Sequence, residues 1–273
     1  MTYPNENPRL PENINNAHES PMLDFLGLAA ALLVFVLTIS FAISLSAIWL
    51  GPKIPFAWEP NLAMTPTPAS EDAQRVETYL TELTERLAAH SDSPLPVRLH
   101  WLPDLEEPNA FATAGGNIHV TGGLLKAVET ENGLAMVLAH EYAHVELRHP
   151  AILMLEQLGH TLLYAFLGLG DSGAGVLAQN TGMASLMSFS RDMEREADQR
   201  AVELLIAEYG HAGGASELFN ELEKTDVDGG HWSLLASHPD TSERLQFLQA
   251  QKKDGERRPL PAWLNEPGPE TGI

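Results

Sequence analysis

Val137-Leu-Ala-His140-Glu141-Tyr-Ala-His144-Val145 reads H-E-x-x-H inside an apolar helical pattern. Residues four apart lie one turn above each other on one face of an α-helix, so His140 and His144 can grip a single zinc ion between them. Glu141 follows the first imidazole and can reach a water held by that ion as a general base. A helix carrying two surface histidines would show the same letters. The surrounding Leu134, Val137, Leu138 and Tyr142 argue for a buried, metal-bearing helix instead.

A catalytic zinc needs a third protein ligand and one open position. The next acidic cluster, Ser190-Arg-Asp-Met-Glu194-Arg-Glu196-Ala-Asp198-Gln-Arg-Ala201, reads as the start of a second helix. Glu194 and Asp198 share a face of it. Glu194 can serve as the third ligand, and Asp198 can accept a ring N–H from a zinc-bound histidine. The same spacing suits a solvated charged face made with Arg191, Asp192, Arg195 and Glu196.

H-E-x-x-H followed by S-R-x-x-E-x-x-A-D-x-x-A resembles the HtpX-type and CAAX-prenyl-protease-type zinc metallopeptidases, which are gluzincins. Two further stretches resemble that family: Asn109 to Leu125 upstream of the metal helix, and His238-Pro239 with Arg244 downstream. The four blocks span about residues 71 to 250 in the family's order. The resemblance implies one Zn2+ per chain held by His140, His144 and Glu194, with Glu141 as general base. It implies that His238 donates a hydrogen bond to the oxyanion forming on the scissile carbonyl, and that Arg244 orients His238 or binds an acidic group beside the ligands. It also implies a sheet edge beside the metal, at Asn109, Ala110, Phe111 and Ala112, to which extended protein or peptide substrates add by main-chain hydrogen bonds. Gly133 departs from the family, which commonly carries an acidic residue there; a less firm helix start is expected.

The elements that must position these groups follow from pattern. Ser70 is a candidate N-cap for an amphipathic helix over Glu71 to His90, whose apolar residues are Val76, Leu80, Leu83 and Leu87. Val97 to Leu102 reads as a strand, and Asn109 to Ala112 and Ile118 to Thr121 as two more joined through Gly115-Gly116. The metal helix is expected over Asn132 to Arg148, with Pro150 ending it and His149 pointing away from the shared face. Ala151 to Gly170 is strongly apolar and reads as a core helix, its alternative being a patch that dips into a membrane. Asp171 to Thr181 and Thr225 to Ser237 read as loops, and Ala212 to Glu223 as a helix. The expected fold class is α+β: a mainly helical zincin-type domain with a small β-sheet beside the active site, preceded by one transmembrane helix.

Residues 1–24, rich in Pro, Asn and Glu, read as a disordered tail. Phe25 to Leu50 carries no charged residue over 26 positions, enough to span a bilayer. The length of the apolar run and the acidic leader, whose one basic residue is Arg9, favour an uncleaved anchor over a signal peptide. Residues 51–70, with five prolines, read as a linker in which Trp58 sits near the lipid interface or packs on the domain. Residues 71–250 form the peptidase domain and 251–273 a disordered tail. Lys53 mildly favours a cytoplasmic domain. One N-terminal anchor before a long domain suits instead the outer face of a bacterial inner membrane, with the domain in the periplasm.

The formal charge is -21, from 37 acidic and 16 basic residues. With no basic patch, nucleic acid is excluded as a partner class. There is no cysteine, hence no disulfide or thiolate chemistry. The sequence therefore reads as a membrane-anchored zinc endopeptidase in protein quality control. A dedicated processing protease and a metal-dependent chaperone-like binder of unfolded segments stand as alternatives. A single span argues against prenyl-protein processing. Oligomeric state is not encoded legibly.

Overall fold

A computed structural model describes residues 20–61, 71–168, 189–217, 238, 241–251 and 255–264. The chain divides into two units, residues 1–45 and 46–273. The expected loops at Asp171 to Thr181 and Thr225 to Ser237, and the end of the helix expected over Ala212 to Glu223, lie outside the described residues. So do most of both tails and the expected cap Ser70.

The first unit holds most of α1 (Pro21–Leu50). It starts four residues before the charge-free run and takes Asp24 into its first turn, where a carboxylate meets the positive end of the helix dipole. Phe25, Leu28, Leu33 and Phe41 are each more than half exposed. Thr38 folds its hydroxyl onto the Val34 carbonyl at 2.8 Å, so this polar group is satisfied inside the helix. The helix is long and apolar enough to cross a bilayer.

The second unit is mainly helical with one small mixed sheet, as the pattern predicts. In α2 (Glu71–Ala88), Leu80, Leu83 and Leu87 are fully buried at helical spacing. Each such side chain contributes roughly 2 kcal/mol of apolar burial. The sheet has the order β1-β3-β2, from β1 (Arg98–Leu102), β2 (Ala110–Thr113) and β3 (Asn117–Thr121). β1 runs parallel to β3, and β2 pairs antiparallel with β3. Gly115 and Gly116 turn the hairpin with φ of 82° and 73°, a region that glycine enters without strain. Leu99, Ala110, Ala112, Ile118 and Val120 face the core.

A short helix, α3 (Gly122–Ala127), capped by the Thr121 side chain, leads to α4 (Glu131–Glu146). Every α4 residue from Glu131 to Val145 is buried. This central helix packs against α2, β2 and α6 (Arg191–Tyr209). Its start is firm, contrary to the expectation at Gly133. Thr130 Oγ1 accepts the Gly133 N–H at 3.0 Å. The Glu217 carboxylate, which occupies the space a Cβ on Gly133 would need, accepts the Glu129 and Thr130 N–H groups at 2.7 and 2.9 Å. The start of α4 is thus held by the Glu217 carboxylate, which lies against Gly133.

Further expectations are corrected. Pro150 does not simply end the metal helix. α4 stops at Glu146, Arg148 takes a left-handed conformation (φ 66°), and α5 (His149–Phe166) starts with Pro150 in its first turn, where a missing N–H costs nothing. Nor is α5 a core helix along its length. Ala151 and Ile152 are buried, but Leu158, Leu162 and Phe166 are 54, 62 and 80% exposed. Composition cannot tell a buried apolar helix from an exposed one.

The C-terminal segment is not disordered throughout. Residues 255–264 pack on the domain: Glu131 N–H donates to Arg258 O at 2.8 Å, and Trp263 sets its ring against Tyr79 at 5.8 Å. Residues 51–61, read as linker, fold into two short 3-10 turns, Gly51–Lys53 and Phe56–Asn61. Trp58 is 66% exposed there. α6 begins at the N-cap Ser190 and ends at Gly210, and α7 (Thr241–Ala250) brings Arg244 and Leu248 inward.

Candidate metal centre and active site

The helical spacing of α4 aims two imidazoles at one point: His140 Nε2 and His144 Nε2 are 3.0 Å apart. α6, packed along α4, delivers Glu194 to the same point. Its Oε2 is 3.4 Å from His140 Nε2, and its Oε1 is 3.6 Å from His144 Nε2. His238 completes the group, with Nδ1 2.8 Å from Glu194 Oε1 and 3.4 Å from His140 Nε2. All four side chains are buried, and their donor atoms lie within 4.8 Å of one another.

This donor set fits zinc. Four ligands about 2.0–2.1 Å from a tetrahedral ion stand roughly 3.3 Å from each other. The separations among His140, His144 and Glu194, 3.0 to 3.6 Å, scatter about that value. Two imidazole nitrogens held at 3.0 Å in a buried site also call for a cation or a proton between them.

The ligand-bearing side chains are themselves held. His140 Nδ1 meets Asp198 Oδ1 at 3.0 Å. Asp198 takes a two-pronged bond from Arg244, at 2.6 Å from Nε and 2.8 Å from Nη2. Arg244 Nη1 also reaches Glu194 Oε2 at 2.8 Å. The structure thus brings the seven proposed residues His140, Glu141, His144, Glu194, Asp198, His238 and Arg244 into one buried cluster.

Two residues join them that the sequence did not reveal. His149 Nδ1 faces His144 Nδ1 at 2.9 Å, which corrects the expectation that it points away. Phe189 stacks flat on the His144 ring at 3.8 Å. The left-handed Arg148 turns the chain back on itself and so returns His149 to the face its sequence distance had taken it from. Arg148-His149-Pro150, a helix restart, is the only hint the sequence carries.

Charge follows environment. Burial pushes His140 down, but hydrogen bonds to Asp198 and Glu194 outweigh it and raise its pKa to about 9. Burial holds His144 well below the ordinary histidine range, reinforced by the neighbouring His140. Burial raises Glu194 and Asp198, yet both end lowered: the histidines at Glu194 and the Arg244 bond at Asp198 prevail. Glu141 is raised by burial, with the charges of His238 and His140 and the Ala112 amide opposing. A carboxyl so tuned is suited to exchange protons nearer neutrality.

That Ala112 amide belongs to β2, the outer strand of the sheet among the described residues. Thr121 N–H donates to Asn109 O at 3.0 Å, so Asn109 and Thr121 form a hydrogen-bonded pair. By the alternation of an antiparallel ladder, Phe111 pairs with His119 in the same manner, while Ala110 and Ala112 turn their N–H and C=O groups outward. Of the four positions proposed to read substrate, Ala110 and Ala112 present backbone at the edge. Asn109 is engaged with Thr121, and the Phe111 ring stacks on His119 at 4.6 Å.

A profile of Peptidase family M48 matches residues 74–252. The chain belongs to peptidase family M48. Among curated M48 relatives, Mitochondrial metalloendopeptidase OMA1 of Schizosaccharomyces pombe is 32% identical over 176 residues, covering 63% of this chain and 51% of the relative. The Beta-barrel assembly-enhancing protease of Escherichia coli K12 is 29% identical over 195 residues, covering 67% and 39%. Metalloprotease LoiP of Escherichia coli K12 is 30% identical over 185 residues, covering 66% and 70%. The chain thus spans about half or less of the length of the first two. The resemblance read from four sequence blocks is borne out at the family level.

Proposed function

We propose that this M48 protein is a membrane-anchored zinc metalloendopeptidase acting in protein quality control. The observation that carries the reading is the convergence of His140, His144 and Glu194 on one point, with Glu141 on the same helix and His238 Nε2 3.5 Å from its Oε1.

A zinc ion held there supplies a Lewis acid, which polarises the scissile carbonyl and makes water a better nucleophile. The chain's own groups do the rest. Glu141 takes the proton of the attacking water and hands it to the leaving amine. Asp198 holds the His140 ring by its Nδ1–H, and Arg244 holds Asp198. His238 is the donor for the developing oxyanion. Its Nδ1 faces the ligand cluster in this conformation, so that role requires its ring to yield to substrate. The outward amides and carbonyls of Ala110 and Ala112 receive an extended peptide by its main chain. Reading backbone in preference to side chains suits a protease that acts on many unfolded sequences.

Support for the setting comes from α1, which is long and apolar enough to anchor the chain. A relative named as a β-barrel assembly-enhancing protease is consistent with work at a membrane. A domain on the periplasmic face of a bacterial inner membrane fits one N-terminal anchor.

The test is zinc content together with casein cleavage by the full chain, for wild type and Glu141→Gln. One zinc per chain in both, with cleavage only in wild type, is expected. Equal cleavage by the two would sink the general-base assignment, and absence of zinc from both would remove the metalloenzyme reading.

A further inference from the structure

The stretch between α1 and the peptidase domain is bound to the site's scaffold at several points. Gly51 lies so close to α5 that an added Cβ would stand 2.5 Å from Ile152 Cγ1. The Ile54 carbonyl accepts from Arg148 Nη2 at 2.7 Å. The Arg148 guanidinium lies over the Phe56 ring at 5.2 Å, and Phe56 reaches the Gly116 turn. Glu59 is 3% exposed. One of its carboxylate oxygens pairs with Arg148, and the other accepts the Gly115 N–H at 2.8 Å.

These contacts join two parts of the site whose separation matters. Arg148 lies two residues beyond the end of α4, the helix that carries His140, Glu141 and His144. Gly115 lies two residues beyond β2, the outer strand that carries Ala110 and Ala112. Glu59 is the shared partner of both. It also lies outside residues 74–252, the part of the chain that matches the family profile.

We propose that Glu59 is a positioning residue for peptide cleavage: by clamping the β2–β3 turn to the end of α4, it fixes the height of the substrate-reading edge over Glu141. The inference rests on the peptidase reading and on the use of the β2 edge. Its physical basis is the steep dependence of such reactions on sub-ångström placement of the substrate. A buried carboxylate with one oxygen on a guanidinium and the other on a backbone N–H is a stiff link, because neither oxygen can leave without an uncompensated buried charge.

The experiment uses the full chain in detergent micelles, with Glu59→Ala, Glu59→Gln and Arg148→Gly. Arg148→Gly keeps the left-handed backbone and removes the guanidinium. Three readouts are taken: zinc content, KM and kcat on casein, and hydrogen exchange of the Ala110 to Thr113 amides. Glu59→Ala and Arg148→Gly are expected to keep one zinc per chain and to lower kcat about tenfold, with KM changed much less. They also speed exchange in β2. Glu59→Gln, which still accepts the Gly115 N–H, restores most of both.

Wild-type kcat and wild-type exchange in either loss variant overturn the proposal. If Glu59→Ala does not fold, Arg148→Gly breaks the same link from its other end and decides alone. A wild type that holds zinc yet cleaves nothing refutes the peptidase reading instead, and exchange alone then decides whether Glu59 holds the edge.

Discussion

His144 and His149 meet through their Nδ1 atoms at 2.9 Å, and His149 Nε2 continues to Glu196 Oε2 at 3.4 Å. With Nε2 of His144 turned to the ligand cluster, its Nδ1 carries the proton and donates it to His149. The ring is thereby fixed in the tautomer and orientation a metal ligand needs. His149→Ala should weaken zinc affinity by about 10- to 100-fold, the range found when such an orienting partner is lost. Competition with a chromophoric chelator measures this. Unchanged affinity would show that the contact does not orient His144.

His238→Ala separates two uses of that side chain. As oxyanion donor, its loss lowers kcat about 10²-fold with zinc stoichiometry unchanged. Steady-state cleavage with parallel metal analysis decides. A rise in kcat would instead make His238 a fourth ligand that blocks the site.

Gly133→Ala tests the start of α4. The new Cβ would displace the Glu217 carboxylate, which holds the Glu129 and Thr130 N–H groups. Loss of a cap and local overpacking together should cost about 2 kcal/mol, despite alanine's better helix propensity. Urea unfolding gives the value. A stabilised variant would show that Glu217 can move aside freely.

His119 sits between His100 and Phe111 in a stack across the sheet, with centroids 4.9 and 4.6 Å away. Burial, then the charge of His100, lowers its pKa from 6.5 to about 4. A lowered folded pKa means that the unfolded chain binds the proton first as pH falls. Stability from this group is therefore complete above pH 6.5 and declines until about pH 4, by about 3 kcal/mol. Across that interval the wild type should lose about 3 kcal/mol of unfolding free energy relative to His119→Phe as pH falls. Parallel curves would exclude His119 as the source.

The parts of the site set by helix periodicity are readable from residue spacing alone. His140 and His144 have to share a face, as do Glu194 and Asp198, and the structure places both pairs so. The hairpin is readable because Gly115-Gly116 permits a turn that few other pairs allow. What escapes such reading depends on contacts between distant residues. His149 returns to the centre only because Arg148 adopts a left-handed backbone. Glu217 fills the space beside Gly133, 84 positions away in the chain. α5 and the segment around Trp263 differ from expectation because apolar or proline content does not state what lies alongside.

An outer strand next to the Glu141 carboxyl is also a place where a second copy of the same chain could pair, β2 against β2. The strand offers only Ala110 and Ala112 outward, and Asn109 just before it is tied back to Thr121. Two residues of unpaired ladder, both buried, give too little to nucleate an extended sheet between copies. The shortness of β2 thus limits self-association through the same strand edge.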